Sequence, residues 1–506
     1  MNETQFPLAG KKEWIGLAVI ALPCFLYAMD LTVLYLAVPH LTAELKPTSS
    51  QLLWIVDIYG FLVSGFLITM GTLGDRIGRR KLLLYGAFAF GITSVLAAFS
   101  TTPEMLIFTR ALLGISAATL APSTLSLIRN MFHDPAERTI AIGIWGTSFS
   151  IGGAIGPLFG GLLLQHYWWG SVFLASVPVM ILLLIVGPKL LPEFKDPNAG
   201  KLDITSVCLS LVSVLTAIYG IKQMAEKGFG GTSVFWIAVG ILLGAFFVRR
   251  QLSLQDPLLD MKLFRIPAFS SALVSNFLII FVALGSFLFV AQYLQLVLDL
   301  SPLEAGLWTL PSAIGNVIGS MTVPRIVRFV RPAYVMASGM ILAAIGFGLY
   351  SIIEGNSGLF LIVTGSFILS LGICAVVILG TDMVVGSAPP EKAGAAASIS
   401  ETATEFGGVL GIAVLGSIGT AVYRNRMMGF GENGDPSVMK SAYDTLGAAA
   451  EVSRKVSEEF GSALLIFAKD AFTDSLRLVS VICAGISIFL AFLILFLLKN
   501  RNSGAE

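Results

Sequence analysis

The sequence predicts an all-α integral membrane protein with fourteen transmembrane helices. Of its 506 residues, 56% are hydrophobic and only 12% are charged, about half the charged share of an ordinary soluble domain. The apolar residues come in runs of roughly 18 to 25, the length that a helix needs to cross about 30 Å of hydrocarbon. Because every backbone amide inside lipid must be hydrogen-bonded within the chain, such runs form helices.

The predicted membrane spans follow one another along the whole chain. In the first half they are 14–37, 51–73, 82–99, 105–128, 139–163, 168–191, 204–221 and 233–248. In the second half they are 267–289, 303–324, 333–352, 357–381, 393–422 and 473–498.

The distribution of Lys and Arg among the loops predicts the orientation. Basic residues are concentrated in alternate loops, for example in 76–81 and 325–331, whereas the short loops on the other side carry only Lys46, Lys222 and Lys227. Cytoplasmic loops carry the excess of basic residues. We therefore expect both termini to be cytoplasmic, which requires an even number of spans.

The loops also suggest two halves with an insert. We predict an N-terminal six-helix bundle over 1–192, a linker with two inserted transmembrane helices over 193–266, and a C-terminal six-helix bundle over 267–506. The motif Pro135-Ala-Glu-Arg138 before the fifth span has a counterpart, Pro389-Pro-Glu-Lys392, before the thirteenth. Two repeated bundles with a site between them are typical of transporters.

One predicted outside loop is long, at about 423–472. Its apolar residues recur at helical spacing, which predicts an amphipathic helical hairpin. A purely structural role and a role in gating both fit this pattern.

Charged residues inside the predicted spans indicate function, because each costs roughly 3 kcal/mol to insert into lipid. Asp30 lies in the first span, Asp57 in the second and Arg110 in the fourth, while Glu401 and Glu405 lie in the thirteenth. Arg110 can neutralise a carboxylate or anchor the packing through hydrogen bonds.

Glu401 and Glu405 are four residues apart and therefore share one helix face. Two neighbouring carboxylates in a medium of low dielectric constant cannot both ionise at low cost, so we expect one of them to hold a proton near neutral pH. An arriving cation would favour ionisation and expel that proton, which is a physical basis for exchange of a cation against H⁺. The alternatives are an ion pair with Arg110 or a helix-capping role.

Aromatic residues in the spans could bind an organic cation through their ring faces. They are Tyr27, Tyr35, Trp54, Tyr59, Trp145, Tyr293 and Trp308. Trp and Tyr are also common at lipid interfaces for reasons unrelated to ligands.

Several classes of protein are disfavoured by the sequence. It contains no nucleotide-binding loop, catalytic triad or cluster of metal ligands, and its four cysteines lie singly in apolar spans. We therefore expect no enzymatic activity, no cofactor and no nucleic-acid partner. A membrane scaffold or sensor remains as an alternative from another functional class.

Four motifs resemble those of the major facilitator superfamily, and specifically of its fourteen-span drug:proton antiporter branch. They are Gly71-Thr-Leu-Gly-Asp75-Arg76-Ile-Gly78-Arg79-Arg80-Lys81, Arg110-Ala-Leu-Leu-Gly114, Gly152-Gly-Ala-Ile-Gly156-Pro157-Leu-Phe-Gly160-Gly161 and Asp30-Leu-Thr-Val-Leu-Tyr35-Leu-Ala-Val-Pro39. Tyr35 stands where the last pattern usually has Asn.

The resemblance assigns roles to these motifs. Asp75 can hold arginines such as Arg76 and Arg79 and latch the inner gate, and Arg110 is tied to proton coupling. The small residues around Gly156 allow close approach of helices, and Pro157 allows a kink.

The segment Leu53-Trp54-Ile55-Val56-Asp57-Ile58-Tyr59 is similar to that of the QacA-type multidrug efflux pumps. This resemblance implies a monomeric pump of a bacterial cytoplasmic (inner) membrane that exports lipophilic cations, such as quaternary ammonium antiseptics and cationic dyes, in exchange for protons. It makes Asp30, Asp57, Glu401 and Glu405 the carboxylates for proton and cation binding. Possible substrate contacts are Trp54, Tyr59, Asn316 and Trp308.

Two departures from the QacA-type pattern concern the acidic residues of the site, and one of them removes a negative charge. Asn316 stands where those pumps carry an acidic residue, and Glu405 stands where they carry Asp. We therefore predict weaker handling of divalent than of monovalent cations. Export of a natural metabolite, peptide or siderophore, with incidental drug efflux, is the alternative transport function.

Overall fold

The protein is described by a computed structural model. The described residues are 8–195, 203–227, 230–254, 257, 261–354, 358–387, 393–430 and 441–498. Within these ranges the regular structure is helical, as the sequence predicts.

The helices of the first half begin and end as follows. They are α1 (Lys11–Leu45), α2 (Ser49–Ile77), α3 (Arg79–Ala98), α4 (Pro103–Ala117), α5 (Leu120–Met131), α6 (Pro135–His166), α7 (Ser171–Leu174), α8 (Val177–Leu190), α9 (Ile204–Lys227) and α10 (Gly231–Ser253).

The helices of the second half start after a short 3-10 turn, Leu263–Arg265. They are α11 (Pro267–Gln292) with a π-helical turn (Tyr293–Val297), α12 (Pro302–Trp308), α13 (Leu310–Ile326), α14 (Pro332–Ser351), α15 (Gly358–Gly386), α16 (Ala393–Met428), α17 (Leu446–Ser453) and α18 (Glu458–Leu498).

Each of the fourteen predicted spans coincides with one helix or with two consecutive helices. Thirteen stretches of the described residues are long and apolar enough to cross a membrane. The tenth predicted span, 303–324, is divided at Thr309 into α12 and α13. Pro311 lies in the first turn of α13, where a missing amide donor is tolerated, and α13 keeps only 17 residues.

The chain divides into two compact units. The first unit contains residues 1–38 and 54–211, and the second contains 39–53 and 212–506. The second unit thus includes the connection between α1 and α2. The three-part division into 1–192, 193–266 and 267–506 stays a prediction.

Glycines allow the helices of the second unit to pack closely. Gly407 and Gly411 of α16 lie against the backbone carbonyls of Phe277 and Phe281 in α11, where any side chain would collide with the carbonyl oxygen. In lipid the hydrophobic effect does not drive helices together. Close van der Waals packing at small residues stabilises such a seam instead. The seam therefore fixes which face of α16 is turned away from α11.

The inserted pair α9 and α10 packs through small residues as well. The Ser213 hydroxyl donates to the Gly240 carbonyl at 2.8 Å, and Gly220 lies against Ser233 and Ile237. The placement of Lys222 in an outside loop is wrong: Lys222 lies within α9 and is 1% exposed. The helix continues to Lys227, so the predicted end of this span at residue 221 was too early.

The predicted helical hairpin at 423–472 outside the membrane stays a prediction. The described residues of this segment include α17 and the beginning of α18, which runs without interruption into the last predicted span. Tyr423 anchors the segment because its hydroxyl donates to the Ala442 carbonyl at 3.0 Å. Residues 431–440 lie outside the described residues.

Candidate functional site

A buried ion pair joins α4 to α1 in the first unit. Arg110 Nη1 donates to Asp30 Oδ2 at 2.8 Å, and the two side chains are 1% and 13% exposed. The structure shows both arrangements that the sequence left open for Arg110: the guanidinium neutralises a carboxylate, that of Asp30, and it also hydrogen-bonds to the backbone of a neighbouring helix. Separating the partners of a desolvated pair leaves a buried charge without compensation. Such a pair therefore keeps its geometry.

Two further contacts fix the Arg110 guanidinium. Its Nε donates to the Ile55 carbonyl of α2 at 3.2 Å, and its Cζ lies 4.5 Å from the centroid of the Tyr59 ring. A cation over an aromatic face is stabilised by the ring quadrupole. Tyr59 is fully buried, so the cation that contacts its ring in this structure is the Arg110 guanidinium of the protein itself.

A glycine seam on α6 fixes the helix that carries Asp30. Gly152 lies against the Phe25 carbonyl, Gly156 lies against the Thr32 hydroxyl and the Met29 backbone, and Gly160 lies against Val33. A Cβ atom at Gly156 would collide with the Thr32 hydroxyl. The predicted close helix approach is therefore confirmed, and α6 continues through Pro157.

Asp57 and Trp54 lie on α2 beside this pair. Asp57 is 1% exposed, and Trp54 is half-buried. An aromatic row continues from Tyr59, with Tyr27 at 6.3 Å between ring centroids and Phe149 at 5.7 Å from Tyr27. The structure thus brings Asp30, Arg110 and Tyr59 into direct contact.

The Gly71–Lys81 motif forms the junction of α2 and α3. Gly78 has φ 117°, a conformation that favours glycine, and this explains the last glycine of the motif. Arg79 is buried and its Nη1 donates to the Pro122 carbonyl at 3.3 Å. Arg76 is exposed, and the Asp75 side chain lies outside the described residues.

Arg80 ties the same junction to the end of α8. Its Nη1 donates to the Leu191 carbonyl at 3.0 Å, and its Nε lies 3.5 Å from Glu193 Oε2. The basic residues of the motif therefore bind helix ends within the first unit. Their predicted role in gating is not tested by these contacts.

The acidic pair of α16 belongs to the second unit. Glu401 is exposed and Glu405 is half-buried. Successive residues of an α-helix turn by about 100°, so Glu405 lies about 160° around α16 from Gly407 and its seam with α11. The pair is thus displayed on a face that this seam does not cover.

The last two predicted contact residues are also exposed. Asn316 lies on α13, where its backbone carbonyl accepts from the Cys374 thiol at 3.3 Å. Trp308 ends α12 and is 42% exposed. Neither side chain is held by the packing of α13 on α15, which uses Gly315 and Gly319.

Sequence reasoning missed the backbone partner of Arg110. The Ile55 carbonyl is available only because α2 carries it to the guanidinium, and no residue type signals such an acceptor. The contact between Arg110 and the Tyr59 ring was also missed, since a ring that contacts an internal cation and a ring that contacts a ligand look alike in sequence.

Apolar helices in sufficient number to cross a membrane repeatedly, with ionisable side chains buried between them, are typical of multi-pass membrane proteins that move ions or solutes. The sequence pattern of the Major Facilitator Superfamily matches residues 20–412. The chain belongs to this superfamily.

Two relatives match this chain over most of its length, and one solved structure shares its fold. The chain is 41% identical to the multidrug efflux pump LfrA of Mycolicibacterium smegmatis, over 94% of both chains. It is 33% identical to the methyl viologen resistance protein SmvA of Salmonella typhimurium, over 91% of this chain and 93% of the relative. A bacterial homologue of the human lysosomal transporter Spinster has the same fold, with a TM-score of 0.70, 18% identity and coverage of 98% and 100%.

Proposed function

We propose that this protein is a proton-coupled antiporter that exports lipophilic organic cations, including quaternary ammonium antiseptics and cationic dyes. It would work by alternating access in a bacterial cytoplasmic membrane, with both termini cytoplasmic. The observation that carries the proposal is the pair Glu401 and Glu405, two carboxylates one helical turn apart on an accessible face of a membrane-spanning helix.

The pair supports exchange because one proton and one organic cation compete for the same charge. With one proton bound, the pair carries one negative charge and tolerates its apolar surroundings better than two charges. A lipophilic cation that approaches favours the doubly ionised form and releases the proton. The reverse step reloads the proton when the cation leaves.

The ion pair of the first unit supports a coupling role for Asp30 and Arg110. Protonation of Asp30 removes the charge that compensates Arg110, so the guanidinium must find another partner or change its place. Asp57 lies on the helix whose Ile55 carbonyl binds the same guanidinium, so that a change at Arg110 reaches this helix too. We assign Gly156 and Pro157 to positioning α1, and Asp75, Arg76 and Arg79 to gating.

The aromatic and polar contacts remain part of the proposal. Trp54, Trp308 and Asn316 are accessible to a substrate in the described structure. Tyr59 would contact a substrate only after Arg110 leaves its ring.

The names of the relatives support the substrate class. LfrA is named a multidrug efflux pump, and SmvA is named for resistance to methyl viologen, which is a quaternary organic cation. Both relatives match this chain over more than nine-tenths of its length.

Transport by the purified protein in proteoliposomes tests the proposal. A quaternary ammonium dye and a pH-sensitive dye are followed together after a proton gradient is imposed. We expect cation movement and counter-movement of protons, both lost when the gradient is collapsed and both reduced at least tenfold in Glu401→Gln. Cation transport that persists without a gradient, or a proton flux that the cation does not change, contradicts the proposal.

A further inference from the structure

A pocket with a volume of about 280 Å³ lies in the second unit, apart from the acidic pair. It is formed where the last turns of α1, the π-helical turn and α17 meet, at the end that the sequence predicts to face outward. Pro39, Ala43, Leu296, Leu300 and Pro302 form its apolar wall, and His40, Gln295, Glu451 and Arg454 provide its polar groups. Its volume is slightly below the range of about 300–1,000 Å³ that is usual for drug-sized ligands.

Two residues that line the pocket, Gln295 and Glu451, each carry a buried hydrogen-bond acceptor. Gln295 is 8% exposed, and its Oε1 has no hydrogen-bond partner among the described residues. The same holds for Glu451 Oε2. Buried acceptors are satisfied in nearly all native structures, so each of these atoms calls for a donor. Gln295 also lies in a π-helical turn, a feature that is frequent at functional sites.

The charges around the pocket are mainly positive. Glu451 Oε1 lies 3.3 Å from Lys46 Nζ and 2.5 Å from Lys455 Nζ. Burial by itself raises the pKa of Glu451, but its bonds to Lys455 and Lys46 hold the pKa below its usual value, so the group is ionised. Desolvation lowers the pKa of His40, so the imidazole is neutral at pH 7. Arg454 adds a further positive charge to the wall.

We propose that this pocket binds a zwitterion that carries an ammonium group with N–H donors beside an anionic oxygen group, as in phosphoethanolamine. The ammonium donates to Gln295 Oε1 and Glu451 Oε2, and the anionic oxygens face Arg454. A simple cation is repelled by the lysines and Arg454, and a simple anion leaves the two acceptors without donors. A trimethylated ammonium cannot donate at all.

This chemistry has two sources, the headgroup of an aminophospholipid and a soluble zwitterion. The π-helical turn is the end of the candidate span Pro267–Val297, so lipid lies within reach of the pocket. The two sources are distinguished by presenting the same group in the bilayer and in solution.

The test uses the purified full-length protein in phosphatidylcholine nanodiscs and measures its Tm. A ligand that binds only the folded state raises the Tm with its concentration. We expect glycerophosphoethanolamine to raise the Tm and glycerophosphocholine, which differs only by methylation of the nitrogen, to have no effect. In a second arm, phosphatidylethanolamine replaces part of the bilayer lipid. A response only in this arm identifies the bilayer headgroup as the source, and a response in solution identifies a free zwitterion as sufficient.

Two variants separate the ends of the ligand. Gln295→Leu should weaken the ethanolamine ligand about tenfold, the effect of losing one charge-assisted hydrogen bond, with little change in the Tm of the free protein, because the hydrogen bond that it also removes, from Gln295 Nε2 to the Ala291 carbonyl, is long at 3.5 Å. Arg454→Gln should weaken binding of the anionic end. Gln292→Leu is the matched control, because Gln292 is buried nearby but lines a different cavity.

Three results overturn the proposal. They are equal stabilisation by the ethanolamine and choline forms, stabilisation by neither ethanolamine source, and equal loss of binding in Gln295→Leu and Gln292→Leu.

Discussion

The acids of the first unit and those of the second lie in opposite electrostatic surroundings. Asp30 is ion-paired with Arg110, whose side chain is 1% exposed and also bonds a backbone carbonyl and covers an aromatic ring. Glu401 and Glu405 stand next to each other on α16, one exposed and one half-buried. The comparison teaches that a carboxylate in a membrane span can be enclosed together with a cationic partner, as Asp30 is, or placed on an accessible helix face, as Glu401 is.

The two units also differ in what their glycine seams do for the acid. In the first unit the seam of Gly152, Gly156 and Gly160 presses on α1, the helix of Asp30, and fixes its position against α6. In the second unit Gly407 and Gly411 attach α16 to α11 on a different face from Glu405. The seam of the first unit thus fixes the helix that carries Asp30, whereas the seam of the second unit lies on a different face of α16 from Glu405.

Removal of Arg110 should have the largest effect. Arg110→Ala leaves Asp30 buried without its partner, which costs about 3–5 kcal/mol of stability, and we expect transport to be lost together with a lower Tm in detergent. The Asp30→Asn, Arg110→Gln double variant should recover much of the Tm but not the transport. If Arg110→Ala keeps the wild-type Tm, the pair does not stabilise the first unit.

Neutralisation of Glu401 should separate transport from stability. We expect Glu401→Gln to reduce proton-coupled cation transport at least tenfold without lowering the free energy of unfolding, because the amide keeps the shape of the side chain and removes one of two neighbouring like charges. Asp30→Asn should lower both. A fall in Tm for Glu401→Gln as large as that for Arg110→Ala would remove the contrast between the two units.

A methyl group in the seam of the first unit tests whether the position of α1 matters for Asp30. Gly156→Ala forces Cβ into the Thr32 hydroxyl, and overpacking of this kind costs about 1–3 kcal/mol. We expect lower transport at unchanged expression. The matched control is Gly153→Ala, because no atom lies within 4 Å of a Cβ at Gly153. Equal effects at the two glycines would show that helix propensity, and not the seam, is responsible.

The smallest effect concerns the charge of the substrate. Asn316→Asp adds an acidic group to an exposed position of α13, and we expect the ratio of dication to monocation transport to rise about fivefold, which corresponds to about 1 kcal/mol, the energy of two unit charges about 4 Å apart in water. Two quaternary cations of similar size, one of them methyl viologen, provide the measurement, with Asn316→Gln as control. An unchanged ratio would show that Asn316 lies outside the path of the cation.

The positions of the helices followed from sequence because each depends on local composition. An apolar run fixes a span wherever it occurs, and the approach of α6 to another helix followed from Gly156 and its neighbours. The division of the tenth span at Thr309 was missed, since Pro311 fits either the first turn of a new helix or a kink within one. The continuity of α18 was missed because the first part of this helix is amphipathic and the rest of it is apolar.

The sequence by itself determined the class of protein, the spans and the set of acids that lipid makes costly, since these follow from composition and from spacing along single helices. Only the tertiary structure decided which acid Arg110 neutralises, because Asp30 is 80 residues away and helix periodicity carries no information about contacts between helices. The same limit hid the pocket beside Gln295, whose polar groups come from three distant segments that only the folded chain brings together.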